Sequence, residues 1–208
     1  MLMQGTLPLE KLQFIRFLWS MNPKQQRFFD TALALIAEKG FKGTTMRDIA
    51  EALDFDVANA YNYISSKQSL LETFLFGISE EFHQGIDQVL MSQQLPEQQL
   101  AGAISQHVRL AIDKPNVVSL LVNEWRHLKD EARSRFIAER DAYEQKLQQI
   151  IEAGMSKGSF NCSNAKMTTH LVLSAVRWLH GLPLQERQQL DPVQVEKEVL
   201  EFVGKGVS

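Results

Sequence analysis

The sequence predicts an all-α chain in two parts: an N-terminal three-helix unit with a helix-turn-helix, then a larger helical domain. Three observations lead there. Glycine and proline are sparse, 11 and 6 in 208 residues, so little interrupts helix formation. No stretch alternates apolar and polar residues as a half-buried strand would. Apolar residues instead recur at three- and four-residue spacing in segment after segment beyond Asn22. With 44% apolar and 23% charged residues, the composition is that of an ordinary globular domain, and the length suffices to bury one core or two small ones.

Residues 1–21 read as an extension, either an overcalled start or a short amphipathic arm; Met1, Met3 and Met21 are all candidate initiators. The apolar Phe14–Trp19 run is broken by Arg16 and followed by no small-residue cleavage site, so it does not read as a signal peptide. No apolar run approaches the roughly 18 residues of a membrane span, and no membrane partner is expected. The single cysteine, Cys162, leaves no internal disulfide and fits a reducing, cytoplasmic setting.

The first unit is expected over residues 22–76. Its first helix runs from Lys24 to Lys39, with Phe28, Phe29, Ala32, Leu33, Leu35 and Ile36 on its apolar face, and stops at Gly40. Thr44 is placed as the cap of a second helix ending near Leu53, which buries Met46, Ile49, Ala50 and Leu53. Asp54-Phe55-Asp56 makes a tight turn. Asp56 is then the expected N-cap of a third helix, Val57 to Ile64, through its carboxylate. Ser65 or Ser66 caps a long fourth helix reaching about Leu90. Two short helices around a tight turn are a device for seating the second of them in the DNA major groove.

The chemistry of that unit suits DNA. Asn59 and Asn62 carry amides able to bond adenine in pairs, and Val57 suits a thymine methyl. Tyr61 and Tyr63 offer hydroxyls to phosphate oxygens. Thr45, Arg47 and Lys67 stand near helix starts, where backbone phosphates are held. The charge balance is unhelpful. Residues 22–72 set Lys24, Arg27, Lys39, Lys42, Arg47 and Lys67 against Asp30, Glu38, Asp48, Glu51, Asp54, Asp56 and Glu72, within a chain of net charge −3. Binding must then lean on a few placed contacts and on dimerisation.

Residues 24–72 resemble the DNA-binding domain of TetR-family bacterial transcriptional regulators. The features that carry the resemblance are Gly40-Phe41, Thr44-Thr45, Asp48-Ile49-Ala50, a three-residue turn, Tyr61, Ser66-Lys67 and Leu70-Leu71, at matching spacing. Asp54 replaces the usual turn glycine, a replacement aspartate tolerates in the left-handed region. Ala60 and Ile64 stand where bulkier residues are common. The resemblance implies backbone-contacting roles for Thr45, Arg47, Tyr63 and Lys67.

Residues 77–208 are expected to form an effector-binding and dimerisation domain, with helices at about 97–113, 116–128, 129–157, 164–180 and 192–203. Gly154 and Gly158 flank the end of the long one, and Asn161 and Ser163 offer caps for the next. Val117–Leu128, Arg140–Glu144, Ile150–Gly154 and Gly158–Phe160 look like the regulatory domain of a TetR branch whose effectors are often acyl-CoA thioesters. On that reading Leu121, Trp125, Phe136, Val172 and Trp178 line a tunnel for the acyl tail. Arg126, Arg133, Arg140 and Arg177 meet phosphates. By family resemblance the last two long helices form a four-helix dimer interface; Leu171, Val172, Ala175, Val176 and Leu179 give its apolar stripe.

The expected function is a homodimeric, ligand-released repressor that binds a pseudo-palindromic DNA operator, with a small apolar effector, an acyl-CoA thioester among the candidates, and no catalytic residue, cofactor or metal. One alternative is a TetR-like ligand-binding or interaction module without specific DNA binding. A remote one is a di-iron helical-bundle enzyme built on Glu124-x-x-His127, which lacks a second such pair; His83, His107, His170 and His180 show no ligand spacing with one another.

Overall fold

The computed structural model describes residues 21–187 and 189–207; the expected extension, Met21 apart, lies outside them. Ten α-helices and one 3-10 turn account for the described chain. They are α1 (Pro23–Gly43), α2 (Met46–Ala52), α3 (Val57–Ala60), α4 (Lys67–Met91), α5 (Pro96–Asp113), α6 (Pro115–Asn123), the turn Trp125–His127, α7 (Asp130–Lys157), α8 (Ala165–Gly181), α9 (Leu184–Arg187) and α10 (Pro192–Val207).

Local chemistry sets these boundaries. Asn22 and Gln25 form a reciprocal capping box at the start of α1, next to a proline already fixed at a helical φ. The regular helix breaks where Gly40 takes φ 77 and ψ 159, a conformation that an L side chain avoids. The cap of α2 is Thr45, not Thr44: Thr45 Oγ1 accepts from Asp48 N at 3.1 Å, and Asp48 Oδ2 accepts from Thr45 N at 2.7 Å. Thr44 is fully buried, and its hydroxyl donates to Leu35 O and Gly40 O, which locks the turn.

Asp54 does adopt a positive φ of 58. Asp56 stands at the N-cap of α3, but its carboxylate makes no capping bond, contrary to expectation. The third helix is also shorter than Val57 to Ile64; it passes into a turn closed by Asn62 N→Asn59 O and Tyr63 N→Ala60 O. Ser66 caps α4 by accepting from Ser69 N. Before α8 the cap is Asn164, accepting from Met167 N, rather than Asn161 or Ser163. Gly154 lies inside α7, where a Cβ would strike the Phe160 ring at 2.1 Å; the glycine seats that ring.

Two buried clusters form. One, centred on α4, α5, α7, α8 and α10, includes Phe82, Ile104, Leu147, Ile150, Leu173 and Val199. The other gathers Phe28, Ile36, Ile49, Ala60, Leu70 and Leu75 from the first four helices, and also Leu120, Leu128 and Phe136 from further along the chain. The long α4 runs through both. At nearly 0.03 kcal/mol per Å² of apolar area, each buried leucine or phenylalanine stabilises by about 1.5–3 kcal/mol, so the N-terminal unit is anchored on the second half by several large side chains.

Candidate nucleic-acid interface and ligand cavity

The turn and α3 present a polar outward face. Asn59, Tyr61 and Asn62 are exposed, while Ala60 between them is fully buried. Asn59 lies on the helix and Asn62 in the turn that closes it through Asn62 N→Asn59 O, which keeps the two amides close together. Val57 is partly buried against the N-terminal cluster, so much of its apolar surface is used in packing. The Tyr63 ring lies between Phe28, at 5.0 Å, and Phe55, at 6.1 Å, nearly parallel to both.

Arg47 is exposed on the first turn of α2. Thr45 is exposed too, with its hydroxyl donating to Asp48 Oδ2 at 2.8 Å. The Thr45 backbone amide, then its hydroxyl, hold the Asp48 carboxyl below its ordinary pKa; Lys39 and Lys67 add to this, so both cations lie near α2. Lys67 is the clearest departure from expectation. Its ammonium donates to Phe41 O and Thr44 O at 2.7 Å each and stands 4.4 Å from the Phe41 ring centre. Two carbonyls of the α1–α2 turn therefore hold the charge that was expected to clamp a phosphate. Lys39 and Lys42, which sequence reasoning passed over, are exposed cations on the same end of α1.

A cavity of about 280 Å³ opens in the second half. Of the residues expected there, Leu121, Trp125, Arg126, Phe136, Arg140 and Arg177 line it. Val172 and Trp178 do not. Val172 is buried in the core, and Trp178 is exposed, its indole donating to Ala175 O at 3.0 Å. Both lie on α8, but its cavity-facing residues are Arg177 and His180. Arg133 is exposed and outside the lining.

The walls near Trp125 are aromatic and cationic: Trp125 stacks on Phe136 at 6.2 Å, and the Arg126 and Arg140 guanidinium groups stand 4.8 and 5.5 Å from the indole. Arg177 is tied to Glu144 at 2.8 Å. Arg126 has no carboxylate partner among the described residues. The lining also brings together side chains with no common spacing in the chain: Ser79, Phe82, His83, His107, Tyr143 and His180. His107 Nε2 is 2.9 Å from the Tyr143 hydroxyl. Burial, with weaker help from His180 and Arg177, drives the His107 pKa well below its ordinary value. Burial, then Arg177 and Arg187, brings His180 to about 3, while burial raises the Tyr143 phenol. Both imidazoles are therefore neutral.

One short segment serves both regions. The expected single helix 116–128 is interrupted: α6 stops at Asn123 and Trp125–His127 forms a 3-10 turn. Trp125 and Arg126 face the cavity. Their neighbours face the other way. Glu124 Oε2 accepts from Phe41 N at 3.2 Å, and His127 stacks on the Phe41 ring at 5.9 Å. Gln68 Nε2 donates to His127 O at 3.2 Å. Glu124 and His127 themselves approach to 3.6 Å. The Glu-x-x-His pair thus docks the α1–α2 turn, and among the described residues no group of three His, Cys, Asp or Glu side chains gathers as a metal site.

The α8 stripe also divides. Leu171 is 63% exposed, Met167 is similarly open, and Ala175 is partly exposed. Val176 and Leu179, expected at a dimer interface, are buried inside the monomer, because they point toward the α5 and α7 side of α8. Trp178 and, on α10, Phe202 (72% exposed) extend the outward apolar face. Among the described residues, no helix is long and apolar enough to cross a membrane.

With this geometry in place, likeness to known proteins is informative. Residues 28–74 match the family described as bacterial regulatory proteins, tetR family, and residues 93–181 match the tetracyclin repressor-like C-terminal domain. The chain is 25% identical over 138 residues to the HTH-type transcriptional repressor KstR2 of Rhodococcus jostii, covering 66% of this chain and 68% of that protein. The solved structure of the ketosteroid transcriptional regulator KstR2 of Mycobacterium tuberculosis superposes with a TM-score of 0.80 at 18% identity, over 91% of this chain and 97% of that one. AibR, solved with isovaleryl coenzyme A and operator DNA, superposes with a TM-score of 0.75 at 20% identity, over 86% and 96% of the two chains.

Proposed function

Because the chain belongs to the TetR family of bacterial transcriptional regulators, we propose that it is a homodimeric repressor that binds a pseudo-palindromic operator and lets go when an acyl-CoA thioester enters the cavity beside Trp125. Asn59 and Asn62 read base edges, with Tyr61 beside them. Arg47 and Thr45, joined by Lys39 and Lys42, meet phosphates. Tyr63 and Lys67 build the surface from beneath. The outward face of Met167, Leu171, Ala175, Trp178 and Phe202 is the dimer contact, which sets two α3 helices about 34–36 Å apart on successive major grooves.

The effector class is supported by the chemistry of the cavity. Leu121, Trp125, Phe136 and Phe82 offer an apolar wall to an acyl tail, and Arg126 and Arg140 offer cations to the anionic carrier. The volume suits the tail, so the nucleotide end lies outside. AibR is a relative in fold solved with such a thioester.

The single observation that carries the proposal is the shared segment Glu124–His127, whose inner pair, Trp125 and Arg126, lines the cavity and whose outer pair, Glu124 and His127, touches the α1–α2 turn. A tail wedged against Trp125 displaces the turn; Glu124 and His127 carry the displacement to Phe41 and hence to α2 and α3. Such coupling is a difference in effector affinity between two arrangements, typically about 1–3 kcal/mol. Calorimetric titration of the DNA-free protein with acyl-CoAs of graded chain length tests the effector assignment. Saturable binding that weakens in Arg126→Ala and Trp125→Ala supports it; binding by no member of the series overturns it.

A further inference from the structure

We propose that the floor of the cavity is a polar receptor, in which His107 Nδ1 and His180 Nε2 hydrogen-bond an uncharged carbonyl or hydroxyl group of the effector. The inference rests on the reading of this cavity as the effector site and narrows the effector to one that brings an oxygen to the floor.

The two histidines are 5% and 3% exposed, come from α5 and α8, and stack with ring centres 5.6 Å apart at 16°. Both line the cavity with Phe82 and Tyr143. His107 uses Nε2 on the Tyr143 hydroxyl at 2.9 Å. Its Nδ1, and Nε2 of His180, are buried and have no hydrogen-bond partner among the described residues. His83, on the same wall, is differently placed: its Nε2 meets Glu139 O at 2.9 Å and its Nδ1 meets Lys146 Nζ at 3.2 Å. A buried polar atom without a partner costs stability, and most are paired. A tunnel for plain hydrocarbon would be better built from leucine at both positions. Two such atoms on residues that line the cavity form a recognition device whose partner arrives with the ligand; both are closed off before it enters, so a small rotation of the rings brings them to its oxygen.

The charge state selects the partner. Burial keeps both rings neutral, so each offers one donor and one acceptor. The Tyr143 hydroxyl rotates to match. When it donates to His107 Nε2, the proton sits on Nδ1 and faces a carbonyl oxygen; when it accepts, Nδ1 accepts from a hydroxyl. A carboxylate fits poorly: Arg177 is already paired with Glu144, Arg187 spends its guanidinium on the carbonyls of Ala111, Pro115, His180 and Leu182, and an unpaired buried charge is costly. Two sources supply the same chemistry: the thioester carbonyl of a short acyl group, or an oxygen further along the acyl chain.

The test is a calorimetric comparison of four ligands: octanoyl-CoA, the thioether S-octyl-CoA without carbonyl oxygen, and octanoyl-CoAs bearing a hydroxyl at the β carbon or at the chain end. In the wild type, one oxygen raises affinity on the order of ten-fold or more; a gain at octanoyl-CoA over S-octyl-CoA marks the thioester carbonyl, and a further gain with a hydroxyl marks the chain. His107→Leu and His180→Leu bring the ratio of octanoyl-CoA to S-octyl-CoA affinity toward one, and His180→Gln, which keeps an amide at this depth, restores part of the gain. If the leucine variants do not fold, imidazole ¹⁵N shifts of the wild type give the answer: both rings move with the oxygen-bearing ligand and not with S-octyl-CoA. Affinity indifferent to every oxygen, an oxygen gain unchanged in the variants, or still imidazole shifts overturn the proposal while leaving the effector site standing. Binding of none of the four removes both readings together.

Discussion

Replacing Glu124 by alanine separates the switch from its two ends. The Glu124 carboxylate neither lines the cavity nor lies on the α2–α3 surface; it accepts from Phe41 N at 3.2 Å and approaches His127 at 3.6 Å. Phe41 is buried, so the alanine variant leaves its amide without an acceptor. A hydrogen bond to a charged group contributes about 1.5–3 kcal/mol, and an orphaned buried donor costs a similar amount, so the docked arrangement loses about 2 kcal/mol, some thirty-fold in its population. If docking of the α1–α2 turn holds the operator-binding arrangement, the two affinities move in opposite directions. Operator binding, read by anisotropy of labelled DNA, weakens by up to thirty-fold. Effector binding to DNA-free protein, read by calorimetry, tightens, because the released arrangement is now reached at lower cost. Glu124→Gln, which keeps a neutral acceptor, shows the same pattern at about half the free energy. Parallel loss of both affinities would mean simple destabilisation and would refute the reasoning; unchanged affinities would show that the contact carries no coupling.

Other perturbations have defined outcomes. Lys67→Met removes two charge-assisted bonds and a cation–π contact, so urea unfolding should show a loss of about 2–4 kcal/mol, while the salt slope of DNA binding by the folded protein stays put; Arg47→Ala should leave stability alone and reduce that slope by about one. Asn59→Ala should narrow the gap between operator and random DNA by about 1–3 kcal/mol, with equal loss on both contradicting base reading. His180 is neutral in the folded protein to about pH 3 but takes up a proton near 6.5 once unfolded. The unfolded state therefore binds more protons below pH 6.5, and stability should fall by about 2 kcal/mol from pH 7 to pH 5 on account of this residue, a loss that His180→Leu abolishes in a denaturation series. Leu171→Glu should convert the dimer to monomer in sedimentation, since it puts a charge on the outward stripe.

Much of the N-terminal unit was legible because its signals are local. Gly40, the turn at Asp54 and the serine pair 65–66, of which Ser66 is the cap, each announce a backbone conformation within a few residues, and the buried set Met46, Ile49, Ala50 and Leu53 follows from helical spacing alone. Spacing misplaced one cap by a residue: Thr45, not the expected Thr44, caps α2 because its hydroxyl reaches Asp48 N, with Thr44 turned into the core. The helix break after Asn123 escaped notice because its cause is 83 residues away, at Phe41. The setting of Lys67 was illegible for the same reason; its partners are carbonyls of the α1–α2 turn, which no side-chain pattern reveals. In the second half, periodicity showed that α8 is amphipathic but not which neighbour sees which face, so Val172, Trp178, Val176 and Leu179 were placed on the wrong sides. His107, Tyr143 and His180 lie on three helices with no spacing in common, and only packing makes them one site.

The most direct test of the account is anisotropy of labelled DNA from upstream of the protein's own gene, against random DNA at two salt concentrations, with and without a ladder of acyl-CoAs. The account predicts selective binding that one thioester weakens by about 5- to 150-fold. Binding with no preference over random DNA at either salt, unmoved by any thioester, would contradict it and point to a ligand-binding module that shares only the fold of its relatives.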